Sequence, residues 1–263
     1  MSTAVSGPRS APLPAAFTEV PLAHRALHDA GAGRPENSAA AVAAAVAGGW
    51  GIEIDLQGSA DGAAMVFHDD GLERLTGATG PVRARRAAEL ETLGLCGTGE
   101  TIPRLETVLG IVGGRVPLLI ELKDQSGRMQ GSDGVLECAV ARALAGYGGP
   151  VAAMSFNPDM VAALAVAAPN LPRGLVTWEW AGNEVAAMPE ARRAHLRAIA
   201  DFARVGASFV SHHHRDLDRA ELRALRAAGV PVLCWTVRSP AEEAAARRGA
   251  DGITFEGYPP ARA

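Results

Sequence analysis

The chain has little cysteine, no strong excess of one charge sign and no apolar run long enough to cross a membrane. Its 263 residues include three scattered cysteines, Cys96, Cys138 and Cys234, which lack the spacing of a metal site. An odd number of scattered cysteines predicts reduced thiols in a cytoplasmic protein rather than disulfide bonds. The net charge is −4, with both signs interspersed, and this argues against nucleic acid as a partner and against a polybasic membrane patch.

Membrane-directed segments are also missing from the sequence. Residues 1–19 are rich in proline, serine and alanine but contain no apolar stretch of signal-peptide length, so we expect a loose N-terminal arm there. The alanine-rich residues 39–47 are too short to span a bilayer, and Gly48 and Gly49 interrupt them. We therefore expect no stable membrane insertion. The sequence carries no signal for the oligomeric state.

Short apolar segments alternate with alanine-rich helical segments from about Val20 onwards. Apolar residues form 48% of the chain, which is enough for a sizeable core. Several apolar segments are continuous, as expected of parallel strands buried on both faces. The eight predicted strands cover residues 22–25, 51–56, 116–123, 151–156, 173–177, 207–211, 230–237 and 251–255. Helices between them predict one (β/α)8 TIM-type barrel over residues 20–263, with a small insertion at about residues 58–114, after the second barrel strand.

Two apolar segments carry carboxylates in a pattern that points to a metal ion. Glu53 and Asp55 lie two residues apart in a predicted strand, so their side chains point to the same face. Burying two unpaired carboxylates is costly unless one takes up a proton or a cation binds. Glu121 adds a third carboxylate, with Lys123 on the same face of its strand. Oxygen ligands without nearby cysteines or paired histidines favour one divalent cation, Mg²⁺ or Ca²⁺, over zinc.

Further polar residues fall at predicted strand ends, where barrel enzymes carry their reactive groups. His24 and Arg25 end the first strand, Trp235 lies near the end of the seventh, and His68 lies on the insertion, which could fold over the barrel mouth. This set suggests metal-assisted phosphoryl chemistry. Each residue also has a structural interpretation: an exposed strand edge for the Glu53 pair, an ion pair for Lys123, a turn or core role for the histidines and a core position for Trp235. The run His212-His213-His214 is expected to be exposed or at the rim, because consecutive strand residues cannot all face one ion.

Ordered motifs run through nearly the whole chain from His24 onwards. They are His24-Arg25, Pro35-Glu36-Asn37-Ser38, Gly51-Ile52-Glu53-Ile54-Asp55, Asp61-Gly62, Val66-Phe67-His68-Asp69, Ile102-Pro103-Arg104-Leu105-Glu106, Leu119-Ile120-Glu121-Leu122-Lys123, Ser155-Phe156, Cys234-Trp235-Thr236-Val237 and Gly249-Ala250-Asp251-Gly252-Ile253. With this order the chain resembles the glycerophosphodiester phosphodiesterases. One departure is Ala26, where the family usually has glycine, followed by a longer loop at residues 27–34. Glycine often marks a close approach of backbone to ligand, so this change bears on loop shape and substrate fit.

The resemblance implies a small-molecule phosphodiester substrate and a role for each site residue. It implies a divalent metal ion held by Glu53, Asp55 and Glu121, with His24 and His68 as the acid–base pair and with Arg25 and Lys123 on the phosphate. The implied reaction is the hydrolysis of glycerophosphodiesters to glycerol 3-phosphate and an alcohol. Two alternatives stay open: a phospholipase-type enzyme acting on lysolipid or inositol lipid headgroups, and an inactive barrel that binds phosphodiesters. The sequence does not indicate the headgroup preference or which histidine is the acid.

Overall fold

Eight parallel strands close into a barrel in the computed structural model of the protein, which describes residues 11–261. Strand β1 pairs with β2 on one side and with β9 on the other, and this pairing closes the ring. The predicted (β/α)8 fold is confirmed. The strands are β1 (Leu22–Ala23), β2 (Gly51–Gly58), β3 (Ala64–Val66), β4 (Leu118–Leu122), β5 (Val151–Ser155), β6 (Arg173–Thr177), β7 (Phe209–His213), β8 (Val232–Val237) and β9 (Gly252–Phe255), of which β3 lies outside the barrel.

Helices connect the strands, and three of them begin at a side chain that caps the first turn. Ser38, Asn157 and Ser239 each accept a backbone N–H of the first turn, and a proline follows Asn157 and Ser239 directly. None of the helices in residues 11–261 is long and apolar enough to cross a membrane. The helices are α1 (Ala16–Glu19), α2 (Ala39–Gly48), α3 (Glu73–Thr76), α4 (Ala87–Leu90), α5 (Leu105–Val112), α6 (Val135–Ala143), α7 (Pro158–Ala167), α8 (Glu190–Arg197), α9 (Ala220–Ala227) and α10 (Pro240–Ala246).

The alternation of side chains on β2 separates the core from the site. Ile52 and Ile54 are fully buried in the cluster that joins the barrel wall to its outer helices. Burial of such a side chain contributes about 1.5–3 kcal/mol. Glu53 and Asp55 therefore point the other way, into the barrel, where they line a cavity. The expectation that these two carboxylates share a face opposite an apolar face agrees with this arrangement.

The N-terminal segment differs from the predicted loose arm. Residues 1–10 of that arm lie outside the described residues, but Phe17 in α1 is fully buried among Leu22, Phe209 and other side chains of the barrel interior. It closes the barrel at the N-terminal ends of the strands. Gly252 permits this close contact, because a Cβ there would lie 2.5 Å from the Phe17 carbonyl oxygen. The prediction is wrong for α1, because proline and alanine around Phe17 obscure its role as a core residue.

The insertion begins as predicted but ends earlier. Strand β2 continues beyond the barrel wall and pairs antiparallel with β3, so that Leu56 lies opposite Val66. The insertion has its own small apolar cluster, which includes Phe67. Helix α5, however, packs into the main core as a regular barrel helix. The predicted boundary at residue 114 is therefore too late, and the insertion gives way to the barrel at the start of α5.

Candidate active site

A cavity of about 170 Å³ opens at the C-terminal ends of the barrel strands. The eight site residues predicted from the sequence all line it: His24, Arg25, Glu53, Asp55, His68, Glu121, Lys123 and Trp235. Its other lining residues are Met154, Phe156, His213, Thr236, Arg238 and Thr254. The cavity is thus polar on the side of β1, β2 and β4, and elsewhere it combines three aromatic rings with a methionine, two threonines and Arg238.

Three carboxylates form a compact cluster at the base of the cavity. Glu53, Asp55 and Glu121 each offer an oxygen atom such that these atoms lie within 4.8 Å of one another. Asp55 and Glu121 are direct neighbours across the parallel pairing of β2 and β4. All three side chains are buried. Such crowding of negative charge in a buried place needs compensating positive charge.

Lys123, the only lysine of the chain, supplies part of that charge. Its Nζ lies 2.7 Å from Glu121 Oε1 and 3.0 Å from Asp55 Oδ1. Burial lowers the pKa of Lys123, but the two carboxylates outweigh burial and hold the pKa above its usual value. The ammonium ion is therefore charged at neutral pH and holds two of the three carboxylates together.

The turn after β1 adds Arg25 to the cluster. Arg25 and Ala26 both have left-handed backbone conformations, with φ of 53° and 63°. This turn lets the Arg25 N–H donate to Glu53 Oε2 at 2.9 Å, while Arg25 Nη1 donates to Glu36 at 2.8 Å. Arg25 Nε is buried 3.7 Å from Asp55 Oδ2 and has no hydrogen-bond partner. Arg25 Nε is thus able to donate a hydrogen bond to a group in the cavity.

Asn37 fixes Asp55 from the side of the β1–α2 loop. Its amide nitrogen donates to Asp55 Oδ2 at 2.9 Å, and its amide oxygen accepts the Asp55 N–H at 3.2 Å. Burial raises the pKa of Asp55, but Lys123 above all, followed by nearby His68 and Arg25, more than offsets burial and lowers it. Asp55 is accordingly the carboxylate most firmly held in its charged form.

The pKa of Glu53 is shifted in the opposite direction from that of Asp55. Burial, followed by the charges of Asp55 and Glu121, raises the pKa of Glu53 well above its usual value. Burial likewise raises the pKa of Glu121, although Lys123 opposes the shift. Three ionised carboxylates would carry one more charge than Lys123 and Arg25 can balance, so the cluster can accept a further cation.

The two histidines face the cavity from different elements, and each has a carboxylate on Nδ1. His68 Nδ1 lies 2.7 Å from Asp69 Oδ1, and His24 Nδ1 lies 2.9 Å from Glu256 Oε2. Burial is the largest cause that lowers the pKa of both histidines, and the bond to the carboxylate opposes it in each case. A ring held at Nδ1 has Nε2 available for proton transfer.

An arginine connects the insertion to the barrel beside His68. Arg74 in α3 donates to both oxygens of Asp69, at 2.5 Å and 3.0 Å, and to both oxygens of Glu36, at 2.9 Å and 2.7 Å. Because Glu36 also pairs with Arg25, a continuous chain of ion pairs runs from the β1 turn to His68. This network fixes the insertion over the mouth. Glu36 is part of this chain and does not belong to the carboxylate cluster.

Aromatic side chains form the opposite wall of the cavity. The ring centroid of Trp235 lies 5.5 Å from that of Phe156 and 5.2 Å from that of His213. Trp235 Nε1 donates to the Ser211 carbonyl at 3.2 Å. Trp235 is half-buried and contacts the open space, as expected of a residue at the mouth.

The three consecutive histidines divide into different environments. His212 is fully buried, with Nδ1 2.7 Å from Thr177 Oγ1, so the expectation of an exposed or rim position is wrong for this residue. The reason is the strand alternation, which turns His212 into the outer core between β6 and β7. His213 faces the cavity, whereas His214 is near Glu242. None of the three belongs to the carboxylate cluster found in the described chain.

Sequence reasoning missed the partners that orient the site residues. Asn37, Asp69, Arg74 and Glu256 all act through contacts that no local pattern reveals, and Glu256 is 232 residues away from His24. Asn37 and Asp69 lie in two of the ordered motifs, and Glu256 follows the last strand directly, but none of these signals identifies the partner.

Comparisons with known proteins agree with this fold. The family model for the glycerophosphoryl diester phosphodiesterase family matches residues 24–256. The Bacillus subtilis protein YhdW, provisionally named as a glycerophosphodiester phosphodiesterase, is 29% identical over 86% of this chain and 90% of its own length. A glycerophosphodiester phosphodiesterase from Agrobacterium tumefaciens superposes with a TM-score of 0.66 at 27% identity, covering 89% of this chain and 94% of that one. A phosphodiesterase from Oleispira antarctica shares the fold, with a TM-score of 0.73 at 24% identity, over 91% of this chain and 94% of its own.

The barrel, the mouth cavity and these relatives define a phosphoric diester hydrolase. The family model covers most of the chain, and the chain belongs to the glycerophosphoryl diester phosphodiesterase family.

Proposed function

We propose that this enzyme hydrolyses glycerophosphodiesters to glycerol 3-phosphate and an alcohol, with the help of one divalent cation and two histidines. The observation that carries the proposal is the meeting of an acidic cluster, two histidines, an arginine and a lysine in one cavity of about 170 Å³. Family membership supports the same reaction. The Oleispira antarctica phosphodiesterase, which shares the fold, is known in complex with its product sn-glycerol-3-phosphate.

The residues present fit a divalent cation. Glu53, Asp55 and Glu121 supply only oxygen ligands, which Mg²⁺ and Ca²⁺ prefer, and burial followed by the charges of the other two carboxylates raises the pKa of Glu53. We assign the ion to these three carboxylates and expect Mg²⁺ or Ca²⁺. When bound, a cation there would polarise the phosphate and neutralise its charge.

Arg25 and Lys123 are proposed to hold the phosphate group. Arg25 Nε is buried without a partner, so it can donate to a phosphate oxygen while Nη1 stays on Glu36. Lys123 stands between Asp55 and Glu121 and adds a second positive charge beside the same space. Together they orient the diester and counter the charge that builds up on its oxygens.

His24 and His68 are proposed as the acid–base pair. One ring accepts at Nε2 the proton of the attacking hydroxyl, and that oxygen forms a new bond to phosphorus. The other ring donates its proton to the oxygen of the departing alcohol as the phosphorus–oxygen bond breaks. The attacking group in this scheme is the vicinal hydroxyl of the substrate's glycerol. It gives a cyclic phosphate, which water then opens with the roles of the two rings reversed.

The aromatic wall is proposed to receive the organic part of the substrate. Trp235 and Phe156 offer apolar surface opposite the charged groups, and the cavity is small for a lipid. We therefore expect water-soluble glycerophosphodiesters with different headgroups to be better substrates than two-chain phospholipids.

A substrate panel tests this function. The purified enzyme with Mg²⁺ or Ca²⁺ is incubated with glycerophosphocholine, glycerophosphoethanolamine, lysophosphatidylcholine and vesicles of a diacyl phospholipid. Release of glycerol 3-phosphate from the first two substrates, with little cleavage of the vesicle lipid, is the expected result. A strong preference for vesicle lipid would favour a phospholipase. Inactivity on the whole panel would favour a barrel that binds phosphodiesters without cleaving them.

A further inference from the structure

Glu256 lies at the seam where the barrel closes. Strands β1 and β9 pair with Ala23 opposite Phe255, and the His24 N–H donates to the Phe255 carbonyl at 2.9 Å. The N–H of Glu256 donates to the Val237 carbonyl, also at 2.9 Å. The backbone of Glu256 is thus tied to the end of β8, and its side chain lies between the residues that follow β1 and β8.

The carboxylate of Glu256 has two cationic or polar partners on one oxygen. Its Oε2 lies 2.9 Å from His24 Nδ1 and 3.0 Å from Arg238 Nη2. Its other oxygen lies 3.9 Å from His28 Nε2. The bond to His24 is the largest cause that lowers the pKa of Glu256, to about 2, so the group is a carboxylate throughout the neutral range. Arg238 donates to the same oxygen of that carboxylate as His24.

A carboxylate in this position has a direct effect on the histidine. The Glu256 carboxylate accepts a hydrogen bond from Nδ1–H. This bond fixes the tautomer in which Nε2 carries no proton, and it sets the orientation of the ring. His24 has a side chain only 14% exposed, so water offers little to replace this bond. His68 has its carboxylate from Asp69, the next residue in the sequence, whereas His24 has its carboxylate from Glu256, 232 residues away.

We propose that Glu256 is the positioning residue of His24, which it holds in the Nδ1–H tautomer with Nε2 directed to the substrate cavity. Arg238 keeps the Glu256 carboxylate in place. The proposal rests on the proposed acid–base role of His24 for its effect on turnover, but not for its effect on the ring itself.

The competing interpretation is a structural one, in which the Glu256 ion pairs only close the barrel seam. Removal of Glu256 would then lower stability and leave the histidine tautomer and the turnover of the folded enzyme unchanged. The test therefore needs a readout on the ring. Nitrogen-15 NMR provides it, because protonated and bare imidazole nitrogens resonate far apart.

The experiment compares Glu256→Gln and Glu256→Ala with the wild-type enzyme. Glu242→Gln serves as the matched control, because Glu242 accepts the Arg238 backbone N–H at the same rim without contacting His24. His24 is one of seven histidines, and its signals are identified by their loss in His24→Gln. Turnover and KM on glycerophosphocholine are measured on the same samples, with unfolding curves to establish that each variant is folded.

The expected result has two parts. In the wild type and Glu242→Gln, the His24 signals show a protonated Nδ1 and a bare Nε2, whereas Glu256→Ala shows a mixture of tautomers. Turnover falls about tenfold to a hundredfold in Glu256→Ala, while KM changes little. The fall is smaller in Glu256→Gln, because its amide oxygen can still accept a hydrogen bond from Nδ1–H. An unchanged His24 tautomer in folded Glu256→Ala would overturn the proposal. If no variant, nor the wild type, cleaves any substrate, the proposed function fails, while the tautomer result still decides the positioning role.

Discussion

Lys123 Nζ lies 3.0 Å from Asp55 Oδ1, so the only lysine of the chain is half-buried and pairs with a fully buried carboxylate of the acidic cluster. Breaking a buried ion pair by removing one partner costs about 3–5 kcal/mol, because an uncompensated charge remains. We expect Lys123→Met to lose stability of this order in chelator and to recover part of it when Mg²⁺ or Ca²⁺ is added. Its KM should rise, its turnover should fall, or both. Unfolding curves with and without the ion check the first effect.

The control for that variant is Arg215→Met. Arg215 is an exposed cation that pairs with Glu242 at 3.3 Å, and such surface pairs contribute about 0–1 kcal/mol. If Lys123→Met unfolds in chelator like the wild type, the cluster does not depend on the lysine charge.

The two histidines are expected to be essential for turnover but not for folding. His24→Ala and His68→Ala should each lose at least about a hundredfold in turnover, the usual contribution of a general acid or base. Both side chains line the cavity rather than the core, so circular dichroism and unfolding curves should change little. His195→Ala is the control, since His195 is half exposed on α8 and lies outside the cavity. Near-native turnover of either cavity variant would show that this histidine is structural.

His212 makes stability depend on pH below the neutral range. Burial lowers the pKa of His212 to about 4, whereas the same ring titrates near 6.5 in the unfolded chain. Between these values the unfolded state binds more protons, so stability falls as the pH is lowered. The contribution of neutral His212 to the free energy of unfolding is fully present above about pH 6.5. That free energy should fall by about 2 kcal/mol between pH 7 and pH 5.

Urea unfolding at both pH values checks this expectation. The free energy of unfolding should fall by about 2 kcal/mol less between pH 7 and pH 5 in His212→Asn than in the wild type. The other titrating groups are the same in both proteins. An equal loss in His212→Asn and the wild type would contradict the assignment. His195→Asn, on α8, controls for the removal of a histidine as such.

Ala26 stands where a glycine would suit the backbone better. Its φ of 63° costs an L-residue about 1–2 kcal/mol, whereas glycine loses about 0.5–1 kcal/mol more through its freedom in the unfolded chain. Because the substitution also removes a buried methyl group worth about 0.8 kcal/mol, we expect Ala26→Gly to leave both stability and turnover nearly unchanged. Ala43→Gly, at an exposed position within α2, should instead destabilise by about 1 kcal/mol. A loss of stability in both variants would contradict the strain at Ala26.

Much of the fold could be predicted because its signals are local. Continuous apolar segments such as the one that holds Glu53 predict buried parallel strands, and cap residues such as Ser38 mark where helices begin. The exceptions depend on distant contacts. Phe17 becomes a core residue only when the barrel closes around it, and α5 belongs to the barrel only through its packing against α2.

The candidate site divides in the same way. Eight of the residues that line the cavity could be identified, because carboxylates at period two and histidines at strand ends are unusual in buried segments and because these residues lie in the ordered motifs of the family. The partners that orient them could not. Arg74 meets Glu36 from 38 residues away, and Glu256 meets His24 only because β9 returns beside β1. Such pairs follow from the packing of the insertion on the barrel and from the closure of the barrel, and they leave no spacing in the sequence.

The most direct test of the account is the dependence of turnover on a divalent cation held by the acidic cluster. Release of glycerol 3-phosphate from glycerophosphocholine is measured after chelation and again after addition of Mg²⁺ or Ca²⁺, with binding of the ion followed by calorimetry. We predict no turnover in chelator, recovery with one ion bound per chain, and a large loss of ion affinity in Glu53→Gln, which removes one of the three carboxylates. Full turnover in chelator, or wild-type ion affinity in Glu53→Gln, would contradict the account.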